Sequence, residues 1–167
     1  MQRTWTCQCC GKQYDTLLTD YAFAAPSQWY SIPEEERDSR SRLSADVCVI
    51  DRQDFFIRAC IEIPIIATDA TFIWGVWVSV SRESFLRIDE LWDATELDDE
   101  APKFGWLCNS ISEYPETFAL KTLVHLRTGN KRPAIELEPT DHPLAVEQRE
   151  GISITRVEEI AARSRAH

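Results

Sequence analysis

The chain has 167 residues, the size of one ordinary domain, and a formal net charge of -10. That charge argues against a nucleic-acid partner, whose binding relies on Lys and Arg displacing phosphate counterions, and against an anionic membrane surface. A domain this long should bury roughly 70% of the surface its unfolded chain exposes, so its core needs no metal to be stable.

Met1–Thr6 has no apolar leader segment, and no apolar run approaches the ~18 residues of a membrane span. The expected location is therefore cytoplasmic. There the six cysteines are free, metal-bound or reactive rather than paired in disulfides. No repeat or low-complexity tract appears. The reading is a single domain over 1–167, with residues 1–16 forming an N-terminal knuckle hairpin packed on it.

In chain order, Thr4–Tyr14 reads as that hairpin, turning at Cys7-Gln8-Cys9-Cys10-Gly11. Pro26–Ser31 and Pro33–Arg40 read as short helical turns led by proline, the second with acids in its first turn. Val47–Ile50 is a short strand. Phe55–Ile66 then alternates cleanly. Phe55, Ile57, Ala59, Ile61, Ile63 and Ile65 share one face, while Arg58, Cys60 and Glu62 lie on the other. Thr71–Val80 is a second long strand whose Trp77 points away from the main core and needs a cover. Ser81 is the expected N-cap of a helix through Trp92. Asp93–Pro102 is an acidic loop, expected to be solvated.

Phe104–Cys108, Phe118–Arg127 and Pro133–Glu138 follow as strands, the last two joined by a turn at Thr128–Lys131. Asp141 or Thr140 is the expected cap of a turn starting at Pro143 and ending at Gly151. A last helix runs from about Thr155 to Arg163, capped by Thr155 or Ser153. Strands in the middle with helices outside indicate an α+β fold. The expected architecture is a mainly antiparallel sheet of about five strands flanked by helices.

Three constellations could carry chemistry. Cys7 and Cys10 have C-x-x-C spacing, and Gly11 supplies the positive φ that closes a tight turn, so both thiolates can face one Zn²⁺. Structural zinc takes four ligands, and only two are legible in this motif. Cys108, His125, His142, Cys60 and Cys48 are candidates to complete the set, with Cys108 and His125 preferred because their strands are neighbours in sequence. The alternatives are a small apolar turn holding no metal, or a redox pair, for which the surrounding βαβ context is missing. The second constellation is Glu136–Pro143, where His142 beside carboxylates could act as a general base. Helix capping accounts for the same residues. The third is the polar sheet face of Arg58, Cys60, Glu62, Lys121, His125, Arg127 and Glu136, which cross-strand ion pairing explains equally well.

Several stretches together resemble a known family. They are Cys7-x-x-Cys10-Gly11, APSQWYSIPEEER (Ala25–Arg37), FFIRACIEIPI (Phe55–Ile65), FIWGVWVSVS (Phe72–Ser81), FGWLCNSISEYPET (Phe104–Thr117) and IELEPTDHPLAVEQREGI (Ile135–Ile152). They are similar to the bacterial family called domain of unknown function 2199, from Cys7 to about Ala161. The resemblance implies a bacterial, stand-alone cytosolic domain and supplies no activity and no catalytic residues.

The leading functional expectation is a non-enzymatic protein-binding or regulatory module. Its acidic surface would engage a basic protein partner, an immunity-like role being one version. Such a module should present an exposed apolar patch with an acidic rim. The alternative is a small metal-dependent or hydrolytic enzyme using His142, His125 or Cys108, which should present a pocket where titratable groups converge.

Overall fold

A computed structural model describes residues 1–165. Ala166 and His167, the end of the single domain expected from the sequence, lie outside the described residues. The chain opens with a two-stranded antiparallel hairpin, β1 (Gln2–Thr6) and β2 (Gln13–Thr16). Next come β3 (Asp20–Ala22), the one-turn helix α1 (Ser27–Tyr30), a 3-10 turn at Glu34–Glu36, the one-turn helix α2 (Arg37–Arg40) and β4 (Ser41–Leu43). Strands β5 (Val47–Ile50), β6 (Asp54–Pro64) and β7 (Thr71–Val80) lead into helix α3 (Arg82–Leu91). Strands β8 (Lys103–Leu107), β9 (Lys121–His125) and β10 (Ala134–Leu137) precede helices α4 (Pro143–Glu150) and α5 (Ile154–Arg165).

The main sheet corrects the sequence expectation. Strands β6, β7, β8, β9 and β10 pair antiparallel in succession, and β10 then returns to β6 through a parallel pairing of Ala134 with Cys60. The result is a closed five-strand mixed barrel rather than a simple antiparallel sheet. Five strands running alternately up and down leave the first and last pointing the same way, so closure has to be parallel. Strands β6 and β7 are long enough to hold two neighbours on one edge. Strand β5 pairs with β6 over residues 54–57, ahead of the β10 contact, and carries β4 on its far side. Parallel strand β3 takes the half of β7 that β8 leaves open. That approach is close: a Cβ on Gly75 would lie 2.9 Å from the Cβ of Ala22.

Alternation explains which faces are buried. Ile57, Ala59, Ile61 and Ile63 of β6 face Val76 and Val78 of β7 inside the barrel, all without solvent exposure. Ile88, Leu144 and Ile160 from α3, α4 and α5 join the same core. The opposite face of β7 carries Trp77, fully buried in a second cluster with Phe56, Cys48, Ile32 and Cys108. Phe23, Trp29 and Leu43 pack against this cluster, so the segment between β3 and β4 is the cover the sequence called for. Trp77 Nε1 donates to the Phe23 carbonyl at 2.9 Å. Asn109 ties the same layers, accepting from the Trp77 backbone N–H at 2.8 Å and donating to the Ala25 carbonyl at 3.0 Å.

Local details differ in three places. Ser81 caps α3 as expected, accepting from the Ser84 N–H at 3.1 Å, but α4 is capped by His142 rather than Asp141 or Thr140. His142 Nδ1 accepts from the Leu144 N–H at 3.2 Å. Helix α5 uses the Ser153 alternative, whose hydroxyl accepts from the Arg156 N–H at 3.1 Å. Strand β9 begins at Lys121, because Phe118–Leu120 forms a turn with Ala119 at φ 67°. The acidic loop is not wholly solvated. Glu100 bridges Arg87 and Lys103 at 2.9 and 2.7 Å, and these partners pull its carboxyl down to about 2.

Candidate metal centre and an apolar outer face

Strand β1 delivers the chain to Cys7 and β2 leaves the knuckle after Lys12. Two backbone bonds close the loop between them: Cys7 N–H to the Lys12 carbonyl and Gly11 N–H to the Cys7 carbonyl, both 2.8 Å. Gly11 has φ 69°, as the motif requires. The loop gathers three sulfurs, since the ligand atoms of Cys7, Cys9 and Cys10 all lie within 4.8 Å of one another. Cys7 is buried in the main core, whereas Cys9 and Cys10 are exposed.

Cys7 and Cys9 hold their sulfurs 2.9 Å apart. The Cys9 thiol hydrogen-bonds Cys7, and the backbone N–H groups of Cys9 and Cys10 also point at its sulfur. These contacts draw the Cys7 thiol down to about 7, while the contact with Cys7, desolvation and the neighbouring Cys7 charge push the Cys9 thiol up to about 11. Cys10 lies 3.8 Å from the Tyr14 hydroxyl. Tyr14 stacks on the buried Trp5 at 5.5 Å and carries the Arg165 guanidinium 4.0 Å over its ring. Cys9, outside the C-x-x-C pair, is thus the third member of the cluster. The C-x-C step beside C-x-x-C was the signal, because residues i, i+2 and i+3 of one tight turn can face a common point.

The other candidates lie elsewhere. Cys108 is buried in the second cluster, where Gln28 Nε2 approaches its sulfur at 3.3 Å and burial pushes its thiol up. His125 sits on the outside of the barrel, with Nε2 2.9 Å from Glu136. His142 is spent on capping α4, and its Nε2 lies 3.2 Å from the carbonyl oxygens of Pro115 and Glu116. Cys48 is buried, and desolvation raises its thiol to about 11. Cys60, on the outer side of β6, is raised by burial as well. The polar face resolves into ion pairs, Arg127 with Glu62 and His125 of β9 with Glu136 of β10.

A different surface draws attention on the outside of β8, β9 and β10. The register places Phe104 opposite Leu123, and Leu123 opposite Glu136. One step along, Trp106 is opposite Lys121, whose carbonyl accepts from the Glu138 N–H at 3.0 Å. Two rows therefore run across three strands, apolar at β8 and acidic at β10. Phe104, Trp106 and Leu123 are 46%, 43% and 39% exposed, and the Phe104 and Trp106 rings meet edge to face at 5.0 Å. Beside them lies a groove of about 240 Å³ lined by Phe104, Lys121, Thr122, Leu123, Glu136, Leu137, Glu138 and Pro139.

The family described as "Uncharacterized protein conserved in bacteria (DUF2199)" matches residues 6–152. The chain belongs to this family. No curated protein and no solved structure matches it. The match spans the knuckle, the whole barrel and α4, so both candidate surfaces fall within the family domain. Among the described residues, no helix is long and apolar enough to cross a membrane.

Proposed function

We propose that this family member is a protein-binding module that engages a basic partner through the outer face of β8, β9 and β10. The observation that carries the reading is the placement of Phe104, Trp106 and Leu123. The outward side of a barrel strand is ordinarily polar, and single exposed apolar residues are unremarkable. Here three large ones occupy adjacent register positions and form one patch beside a groove. Aromatic anchors within a polar rim are the pattern of a binding hot spot. The groove beside the patch holds Glu136 and Glu138 against one lysine, Lys121, in a chain of net charge -10, so the complementary partner presents an apolar side chain ringed by Lys or Arg.

The test compares immobilised wild type with a Trp106→Ser/Leu123→Asp variant of matched circular dichroism. A bacterial lysate is passed over both, and any captured protein is identified, purified and titrated. The expected result is a partner with a basic face that binds the wild type at least tenfold more tightly and weakens with added salt. If no protein distinguishes the two forms, the reading is refuted. Self-association that the variant abolishes would assign the face to a second copy of this chain instead.

A further inference from the structure

The knuckle at the N-terminus stands apart from that outer face and has its own chemistry. Its three sulfurs converge within 4.8 Å on one short loop. A metal–thiolate bond of about 2.3 Å puts three coplanar sulfurs about 4 Å apart. Cys9 therefore has only to swing away from Cys7, now 2.9 Å distant, for one ion to sit among all three. Among the described residues, no other Cys, His, Asp or Glu joins this group. Cys108 is held under the β3–β4 segment by Gln28, and His125 is held on the barrel exterior by Glu136. A tetrahedral zinc site thus lacks its fourth protein ligand. A soft monovalent ion is satisfied by thiolates alone and needs no fourth.

We propose that Cys7, Cys9 and Cys10 form a three-thiolate site for one soft monovalent d¹⁰ cation, with Cu(I) as its representative. On binding, each of the three S–H groups releases its proton to solvent and each sulfur forms one bond to the ion, with no change of oxidation state. The surroundings suit the product. The three thiolates and the ion carry a net charge of about -2 by simple valence; Arg165 lies over the ring of Tyr14, the neighbour of Cys10, and Arg163, paired with Glu113, borders the cleft beside Cys9. Cys7 closes the inner side, while Cys9 opens onto a cleft lined by Gln8, Glu159, Ala162 and Arg163 through which the ion can enter.

The test is an anaerobic titration of the reduced full chain with Cu(I) against a coloured Cu(I) chelator. A parallel Zn²⁺ titration and X-ray absorption of the loaded protein complete it. The expected result is one Cu(I) per chain with three sulfur neighbours, bound in preference to Zn²⁺. Cys9→Ser and Cys10→Ser should each weaken binding at least tenfold, whereas Cys108→Ser and His125→Ala should leave it unchanged. Cys7 is buried and its replacement also disturbs packing, so the two exposed cysteines carry the measurement. Wild-type affinity in Cys9→Ser, loss of binding in Cys108→Ser or His125→Ala, a four-coordinate zinc bound in preference, or no Cu(I) uptake at all would each overturn the proposal. None of these outcomes bears on the partner-binding face.

Discussion

Replacing Ile61 by alanine removes three carbons from a side chain with no solvent exposure, at the centre of β6 opposite Trp74 of β7. At about 0.8 kcal/mol per buried methylene, the transfer loss alone is about 2.4 kcal/mol. The cavity adds to this. Strand β6 is hydrogen-bonded to β7 on one edge and to β5 and β10 on the other, so the wall around Ile61 collapses little. The expected total is about 3–5 kcal/mol, the upper part of the range for such truncations. Glu62, one residue on, points outward, with its carboxylate on Arg127 and its side chain 40% exposed. Glu62→Ala should cost about 0–1 kcal/mol, as exposed ion pairs do. Urea melts of both variants, followed by tryptophan fluorescence and circular dichroism, measure the difference. Domains of this kind are stable by only about 5–15 kcal/mol, so Ile61→Val, expected to cost about 0.5–1.5 kcal/mol, serves if Ile61→Ala does not fold. Equal losses at positions 61 and 62 would refute the assignment of barrel interior and exterior.

Two further outcomes follow from the loop and the sheet edge. Glu100 has its folded carboxyl pulled from 4.5 to about 2 by Arg87 and Lys103, so its stabilising contribution is full above about pH 4.5, declines as the pH falls below that, and is gone below about pH 2. The stability difference between wild type and Glu100→Gln, from urea midpoints, should therefore be larger at pH 7 than at pH 3; a constant difference would contradict the ion-pair origin. Gly75→Val should displace β3, because any Cβ there meets Ala22 at 2.9 Å, and should speed proteolysis within residues 17–26 while the barrel stays folded. Unchanged cleavage in that segment would show that β3 is not held against β7.

Much of the local structure was legible from residues alone. Val47–Ile50 and Thr71–Val80 are strands with the expected bounds, and Ser81 caps the helix that follows. These follow from near-neighbour physics: period-two alternation, a hydroxyl before a helical stripe, proline at a first turn. The inner face of β6 was equally plain, because Ile57, Ile61 and Ile63 repeat at every second residue. The short strands β3 and β4 were not legible. Three residues carry no periodicity, and both strands exist only because a long strand offers them an unpaired edge. His142 as a cap was missed for a related reason, since Asp141 and Thr140 satisfy the same local rule and tertiary placement decided between them.

The two surfaces divide in the same way. The knuckle was visible as Cys7-x-x-Cys10-Gly11, a turn whose requirements are met within five residues. Its third sulfur was in view as well, yet only the folded loop turned Cys9 toward the other two. The patch of Phe104, Trp106 and Leu123 could not be read at all. Phe104 and Trp106 alternate like core residues, and alternation distinguishes two faces without saying which one closure leaves outside. What the sequence determined by itself was the longer strands, their two faces and the thiol-bearing turn, each governed by contacts a few residues apart. What only the tertiary structure decided was closure: Ala134 meeting Cys60 curls five strands into a barrel and assigns every face an inside or an outside, and that pairing joins residues 74 positions apart that share no local pattern.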